Sequence, residues 1–313
     1  MTRQRTSSND LVQQLSLFSA ELPSAPPISE PEAIPVTPFS LLSVARVWFR
    51  QHLIDAARPA NTVESYTYDL VVMEQRITDK AVKDITETDI ALYLAEASSK
   101  VTRKRRLTSA KAFFAWLNND LKVLKADPTA SFAPHPLEHH LPNVLTANEQ
   151  VALMRAAMDD EAWSAPAILL MMRLGLGRTE LLALRRDHID RTTTAGAEVM
   201  IAYDSPGKRG KQRTLVADAE FANSYAQYLE EKNPADLLFP FGPQAVNGMV
   251  DRVAGNAGIK RKITPQLLRH TAAVAMARDD TEVNSLLHKL GLVNDARNRE
   301  TVRLYIAAAE DEA

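Results

Sequence analysis

Near its carboxyl end the chain carries an arginine, a histidine and a tyrosine that could take part in a reaction. Arg269 and His270 are adjacent at the start of a predicted helix, and Tyr305 ends the later stretch TVRLY, residues 301–305. A guanidinium binds anions, an imidazole transfers protons near neutral pH, and a phenol hydroxyl can act as a nucleophile. A lone Arg-His pair is usually structural, so other features must decide between the two interpretations.

A basic run opens a predicted helix that begins at about Thr102, and no acid interrupts it. Its residues, with one further lysine on the same helix, are Arg103, Lys104, Arg105, Arg106 and Lys111. A charge run is usually a solvated helix face. Four consecutive cations near a helix N-terminus, whose free N–H groups also attract anions, favour phosphate contact instead.

A second basic cluster lies at the tip of a predicted β-hairpin. Predicted strands at 198–203 and 213–216 flank a turn with glycines at 207 and 210. The cations of this cluster are Lys208, Arg209, Lys211 and Arg213. Glycine allows close approach to a nucleic-acid backbone, but basic hairpins are common on surfaces, so a solubilising loop is equally open.

Composition excludes several kinds of chemistry. The chain has no cysteine, which removes disulfides, thiolate metal sites and cysteine nucleophiles. His139 and His140 have no third ligand clustered with them, so no metal site is expected. The net charge of -2 gives no general support for nucleic-acid binding, and the local clusters must carry that case.

Nothing in the sequence indicates a membrane. No segment approaches the ~20 apolar residues needed to span a bilayer, and the amino terminus lacks the apolar run of a secretory signal. The sequence therefore predicts a cytoplasmic protein with no membrane partner.

The apolar pattern predicts a mainly α-helical protein with one small β-hairpin or sheet. Residues 1–40 are rich in proline and predict a disordered arm. Residues 41–132 predict a helical domain whose second helix is capped by Asn61 or Thr62 and whose third is capped by Thr86.

A proline-containing linker at 133–143 leads to a second predicted domain, 144–313, whose first helix is capped by Thr146. Its predicted helices lie near 147–158, 163–174, 179–186, 218–231, 244–257, 265–278 and 281–290.

The order of these features resembles the tyrosine recombinase (phage integrase) family from about residue 40 to 305. The matching stretches are, in order, SYTYDL (65–70), KAFFAWL (111–117), LPNVLT (141–146), LGLGRTELLALRRDHID (174–190), GKRGKQR (207–213), LLFP (237–240), ITPQLLRHTAAVAMA (263–277) and the late tyrosine. Chance does not account for so many landmarks in one order. The resemblance implies a helical core-type DNA-binding domain followed by an α-rich catalytic domain with a small sheet.

The resemblance also implies roles for individual residues. In this family a tyrosine hydroxyl attacks a scissile phosphate to form a 3′-phosphotyrosyl link, without metal or cofactor. The nucleophile is then Tyr305, a phosphate-binding arginine is Arg269, and the lysine that protonates the leaving 5′ oxygen is Lys208. His270, which follows that arginine, supports the site. Preorganised cations around a phosphoryl transition state supply most of the catalysis.

Three positions depart from the family's pattern. Gly-Leu-Arg-x-Ser-Glu-Leu appears here with Gly177 in place of the first arginine and Arg178 one residue later, about 100° further around a helix. Gln266 replaces a proton-transferring histidine and cannot titrate near pH 7, although it can donate a hydrogen bond. Leu292 stands where histidine or tryptophan is expected. Each missing transition-state donor typically costs about 100- to 1,000-fold in rate.

The resemblance therefore implies site-specific recombination of double-stranded DNA by strand cleavage and rejoining. The protein would act in a tetrameric synapse of this chain or with a partner recombinase. The alternative is a catalytically impaired recombinase fold that binds DNA as a regulatory or accessory factor. A third interpretation, a helical adaptor unrelated to DNA, fits the net charge but not the ordered landmarks.

Overall fold

The structure, a computed structural model, describes residues 36–133, 141–191, 196–203 and 211–311. The chain divides into two compact units, Met1–Glu138 and His139–Ala313. Each unit has its own buried apolar core. The predicted arm up to residue 35 and most of the predicted linker lie outside the described residues.

The first unit is a bundle of helices. These are α1 (Leu42–Asp55), α2 (Ala60–Ile77), α3 (Glu87–Ala95) and α4 (Lys100–Ala115), with a 3-10 turn at Val82–Asp84 and a π-helical turn at Trp116–Asp120. Apolar residues three or four positions apart form one buried face on each helix. The largest side chains in this core include Phe49, Leu70, Met73, Phe113 and Phe114.

The caps of this unit follow the sequence only in part. Thr86 caps α3 as predicted, because its side chain accepts from the backbone N–H of Asp89 while the Asp89 carboxylate accepts from the backbone N–H of Thr86. The prediction for α2 is wrong. The helix begins at Ala60, directly after Pro59, so Asn61 and Thr62 lie inside its first turn. No side chain caps this helix.

A buried carboxylate ties α2 to α4. Asp69 is 0% exposed, its Oδ1 lies 2.5 Å from Arg105 Nη1, and Ser109 donates to its Oδ2 at 2.7 Å. Tyr93 of α3 donates to the Asp69 carbonyl at 2.8 Å. Because a buried charge needs a partner, Arg105 stabilises the fold of this unit.

The second unit surrounds a small sheet with helices. These are α5 (Ala147–Met158), α6 (Ser164–Met172), α7 (Arg178–Ala183), α8 (Ala219–Lys232), α9 (Pro243–Asn256), α10 (Pro265–Asp279), α11 (Val283–Lys289) and α12 (Ala296–Asp311). The predicted mainly α-helical fold with a small sheet is confirmed. Thr146 caps α5 as predicted, in a reciprocal pair of hydrogen bonds with Glu149.

Helix α6 forms the centre of the second core. All nine of its residues are buried, and it packs against α5, α8 and α10. A helix that is apolar on every side must be surrounded by other elements. The apolar pattern did not predict α12, whose first turns carry Arg297, Asn298, Arg299 and Glu300 and few apolar residues to mark its period.

The sheet consists of β1 (Ile189–Asp190), β2 (Ala197–Ile201) and β3 (Arg213–Ala217), antiparallel and in that order. Val199 is paired with Ile189 on one side and Leu215 on the other. Alternate residues of β2 are buried, as period 2 requires. The two predicted strands of the hairpin are thus present, while its tip, residues 204–210, lies outside the described residues.

Among the described residues, no helix is long and apolar enough to cross a membrane.

Candidate active site

An open cavity in the second unit brings together residues from distant parts of the sequence. Its volume is about 660 Å³. The wall is formed by the start of α7, by α9, by the first turns of α10 and by the segment after α11. Its residues include Gly177, Arg178, Glu180, Tyr203, Lys211, Asn247, Gln266, Arg269 and Leu292.

Glu180 is the buried acceptor beside this cavity. Its carboxylate accepts hydrogen bonds from Arg213 Nη1 at 2.7 Å and Nη2 at 3.2 Å, and from Arg269 Nη1 at 2.8 Å. The hydroxyl of Tyr203 and the backbone N–H of Gly177 donate to it at 2.5 and 2.8 Å. One carboxylate therefore connects α7 with β3 and α10.

The charges around Glu180 leave a net positive site. Burial raises the pKa of Glu180, but hydrogen bonds and positive charge from Arg213, the charge of Arg269 and the Tyr203 hydroxyl together lower it to about 2. Burial and the bond to Glu180 raise the pKa of Tyr203 to about 12. At neutral pH one carboxylate thus lies against two guanidinium groups, with one positive charge in excess.

Backbone carbonyl groups fix the orientation of Arg269. Its Nη1 donates to the carbonyl of Gly175 at 2.7 Å, and its Nη2 donates to the carbonyl of Leu290 at 2.5 Å. The guanidinium fork is planar, so bonds to both ends hold it in one plane. Its side chain is 13% exposed, and the remaining surface faces the cavity.

Arg213 lies inside the protein, which corrects its prediction as a DNA contact. Its side chain is 0% exposed, and its Nε donates to the carbonyl of Lys289 at 2.7 Å. A Cβ at Gly291, where φ is +61°, would lie 2.2 Å from Arg213 Nη1. Gly291 is therefore required for Arg213 to reach Glu180, whose buried charge needs that partner.

His270 and Tyr305 form a hydrogen-bonded pair. The Tyr305 hydroxyl lies 2.8 Å from His270 Nδ1, and Gln266 Nε2 lies 3.2 Å from His270 Nε2. Burial and then the charge of Arg269 lower the pKa of His270, whereas burial raises the pKa of Tyr305. Both shifts favour a neutral imidazole and a protonated phenol near pH 7.

Tyr305 lies behind the cavity rather than in its wall. It is 4% exposed, and the residues that form the wall do not include it. Gln266, which does line the cavity, contacts His270, and His270 contacts Tyr305. The side chains of Gln266 and His270 thus connect the cavity with the phenol.

The other predicted site residues of the second unit fall into two groups. Arg178, Gln266 and Lys211 line the cavity, as does Leu292. Lys208 and Arg209 belong to the hairpin tip and lie outside the described residues, so their roles stay predictions.

Helix α4 begins earlier than predicted, which changes the interpretation of its basic run. Ser99 caps the helix by accepting from Thr102 N at 3.1 Å. Arg103 N already donates to the Ser99 carbonyl at 2.9 Å. The basic run therefore lies beyond the first turn, and the expected help from free backbone N–H groups does not apply to it.

The basic residues of α4 differ in whether they have a partner within the fold. Arg105 pairs with Asp69, and Arg106 donates to the Tyr93 carbonyl at 3.0 Å. Both guanidinium groups thus have partners within the fold, but the Arg105 side chain is still 42% exposed, and both residues stay DNA-contact predictions. Within the described residues, no ion pair involves Arg103, Lys104 or Lys111. All three also stay predicted DNA contacts.

Sequence reasoning missed Glu180, Tyr203 and Asn247. Glu180 stands directly before Leu181 and Leu182 in a predicted helix, and an acid among apolar residues is a signal of a buried partner. The other two carry no local signal, because each contacts a residue far away in the sequence.

Two family models match the chain. The model of the phage integrase family matches residues 143–312, and the model of the phage integrase N-terminal SAM-like domain matches residues 47–120. The first alone covers more than half of the 313 residues. The chain belongs to the phage integrase family, that of the tyrosine recombinases.

Two bacterial relatives match most of this chain. The tyrosine recombinase XerC of Chromobacterium violaceum is 24% identical over 262 residues, which are 79% of this chain and 85% of the relative. XerC of Myxococcus xanthus is 25% identical over 273 residues, 78% of this chain and 87% of the relative.

Solved structures share the fold at low sequence identity. The Tn1549 transposon integrase in complex with a circular intermediate DNA has a TM-score of 0.68 at 16% identity, covering 87% of this chain and 98% of that one. A lambda integrase dimer bound to a COC′ core site has a TM-score of 0.67 at 14% identity, with 86% and 77% covered.

Removal of the Arg105 side chain is expected to destabilise the first unit by about 2 kcal/mol. This is less than for a fully buried pair, because Arg105 is 42% exposed and water screens its charge. Lys104→Ala should change stability by under about 0.5 kcal/mol, yet lower the salt dependence of DNA binding by about one ion. Hydrogen exchange of α2 amides and fluorescence anisotropy with duplex DNA measure the two effects. Equal destabilisation by both substitutions contradicts this division.

Glu180→Gln is expected to destabilise the second unit by about 3 to 5 kcal/mol at pH 7, because it leaves buried Arg213 without a counter-charge. The folded-state pKa of Glu180 is about 2, against an ordinary 4.5. The wild-type advantage is therefore complete above pH 4.5 and is lost as the pH falls toward 2. Hydrogen exchange of the buried α6 amides reports the free energy of opening.

The matched control for this measurement is Glu198→Gln, a substitution on the exposed face of β2. It should leave α6 protection unchanged. A difference between wild type and Glu180→Gln that stays constant from neutral pH to pH 2 would show that the Glu180 charge is not what stabilises the site.

Proposed function

We propose that this protein is a site-specific recombinase that cuts and rejoins double-stranded DNA through a 3′-phosphotyrosyl intermediate at Tyr305. The observation that carries the proposal is the cavity with Arg269 and Arg178 in its wall, connected through Gln266 and His270 to Tyr305. Membership of the phage integrase family supports it.

The chemistry follows from these groups. The Tyr305 oxygen attacks the scissile phosphorus and forms a new P–O bond, while the bond from phosphorus to the 5′ oxygen breaks. The phenol proton passes to His270 Nδ1, which accepts it in the tautomer that carries its own proton on Nε2. In that tautomer Gln266 turns its amide oxygen to the Nε2–H of His270. The leaving 5′ oxygen takes a proton from Lys208, the lysine that the resemblance assigns to this step. Rejoining is the same sequence in reverse, with a 5′ hydroxyl as the attacking group.

The positive charges stabilise the transition state. Negative charge on the non-bridging phosphate oxygens increases as the phosphorus becomes five-coordinate, and fixed cations stabilise it without reorganising. Glu180 neutralises only one of the two arginines that it contacts. Arg269 therefore retains attraction for a phosphate while its orientation is fixed.

Tyr305 must change position before it can react. Its side chain is 4% exposed, so a phosphate in the cavity does not reach its hydroxyl in the arrangement described. We infer that binding of DNA, or assembly on it, moves α12 and brings the phenol to the cavity. This couples cleavage to assembly and keeps the free protein from cutting DNA.

The partners follow from the same proposal. The DNA partner is a duplex carrying a recognition site, and two such sites meet in a tetramer of this chain or in one shared with a partner recombinase. A solved lambda integrase tetramer bound to a Holliday junction, with a TM-score of 0.66, supports this assembly. No cofactor takes part in the steps above, and we place the reaction in the cytoplasm.

The test is a covalent trap. Duplexes that the protein enriches from a random library would be rebuilt with a nick at each position in turn, so that the strand end freed by cleavage diffuses away. The wild-type protein should form a covalent adduct with one strand, stable in denaturing gels, and Tyr305→Phe should form none while binding DNA equally well. The phenyl ring preserves packing but removes the nucleophile.

The proposal of a strand-cleaving recombinase is wrong if the wild-type protein binds its selected duplex tightly but forms no adduct with a nick at any position. That result would leave the recombinase fold as a DNA-binding accessory factor. An adduct that persists in Tyr305→Phe would instead place the nucleophile elsewhere.

A further inference from the structure

Arg178 reaches the cavity although it stands one residue away from the expected place. It is the first residue of α7, and both Arg178 and Gly177 line the cavity. A Cβ at Gly177 would lie 3.4 Å from Arg269 Nη1, so position 177 is directly beside Arg269. Position 177 therefore offers no side chain beside Arg269, whereas the neighbouring Arg178 lines the same cavity.

Asn247 supplies that direction. Arg178 Nη1 donates to Asn247 Oδ1 at 3.0 Å. Asn247 lies in α9, which packs against α7, and it lines the same cavity. An arginine side chain has many rotamers and loses them only when a partner holds it. The bond to a residue on a second helix selects the rotamers that keep the guanidinium in the cavity.

The chemical type of this partner matters as much as its place. Within the described part of the chain, Arg178 forms no ion pair, whereas Arg269 and Arg213 share the carboxylate of Glu180. An amide oxygen is neutral, so it accepts the hydrogen bond without cancelling the positive charge. Arg178 thus keeps its full charge, and its remaining N–H groups are available to an anion in the cavity.

We propose that Asn247 is a positioning residue that holds Arg178 in the cavity as a phosphate-binding group, in place of the side chain absent at Gly177. This inference rests on the proposed function, because the phosphate it concerns is the scissile one. Asn247 itself does not contact the reacting atoms in this account and acts through Arg178.

The first test is the rate of adduct formation on the nicked duplex. Arg178→Ala should lower the rate about 100- to 1,000-fold, as expected for a lost transition-state donor. Asn247→Ala should lower it about 10-fold by releasing the guanidinium. In the Arg178→Ala background the same Asn247→Ala change should have less than about a twofold effect, because residues that act together are not additive.

Asn247→Asp separates position from charge. The carboxylate still accepts the bond from Arg178 but neutralises its charge, so the rate should fall by at least as much as in Asn247→Ala. The matched control is Asn256→Ala, which removes the same side chain type from an exposed position at the far end of α9. It should cleave at the wild-type rate.

A second measurement does not depend on cleavage. In protein labelled with 15N-arginine, inorganic phosphate should shift the Nε–H resonances of Arg178 and Arg269. Asn247→Asp should abolish the shift at Arg178 and keep the shift at Arg269. Failure of the proposed function, with no adduct from the wild type, would leave this result intact, so the two failures are distinguishable.

Two outcomes overturn the inference. One is wild-type cleavage by Asn247→Ala and Asn247→Asp while Arg178→Ala is impaired, which would show that Arg178 needs no anchor. The other is an additive effect of Asn247→Ala in the Arg178→Ala background, which would show that Asn247 acts by a route other than Arg178.

Discussion

The buried carboxylate of Glu180 is the contact on which the rest of the site depends. It accepts hydrogen bonds from β3, from α10 and from the start of its own helix. A charge that is 9% exposed is stable only if its partners stay in place, and these partners fix three elements relative to one another. Gly291 has no side chain because Arg213 occupies that space. The orientation of Arg269 at the cavity is one consequence of this constraint.

The two arginines of the cavity, Arg178 and Arg269, have partners of different charge. Arg269 is fixed by a carboxylate and by two backbone carbonyls, so part of its charge is compensated. Arg178 has a neutral amide partner and retains its charge. This arrangement places an uncompensated cation in the cavity that Gly177 also lines. Despite the departures at 177 and 266, the cavity contains two guanidinium groups, and Gln266 contacts His270.

Local signals in the sequence predicted most of the elements, although not α12. The caps of α3 and α5 follow from Thr86 and Thr146 because a cap involves residues three positions apart. The hairpin strands follow from alternation and from turn residues. Neither the burial of Arg213 nor the anchor at Asn247 could be predicted in this way, because both depend on partners that only the folded chain brings near. A basic residue looks the same in sequence whether or not it pairs with a buried acid, as Lys104 and Arg105 illustrate.

The most direct test of the account is the structure of the protein trapped on its nicked duplex. The account predicts a bond between Tyr305 and the 3′ phosphate, with Arg178 and Arg269 each within hydrogen-bond distance of a non-bridging oxygen and Asn247 still bonded to Arg178. A phosphate attached to Tyr305 but bound by Arg269 alone, with Arg178 turned away from it, would contradict the account.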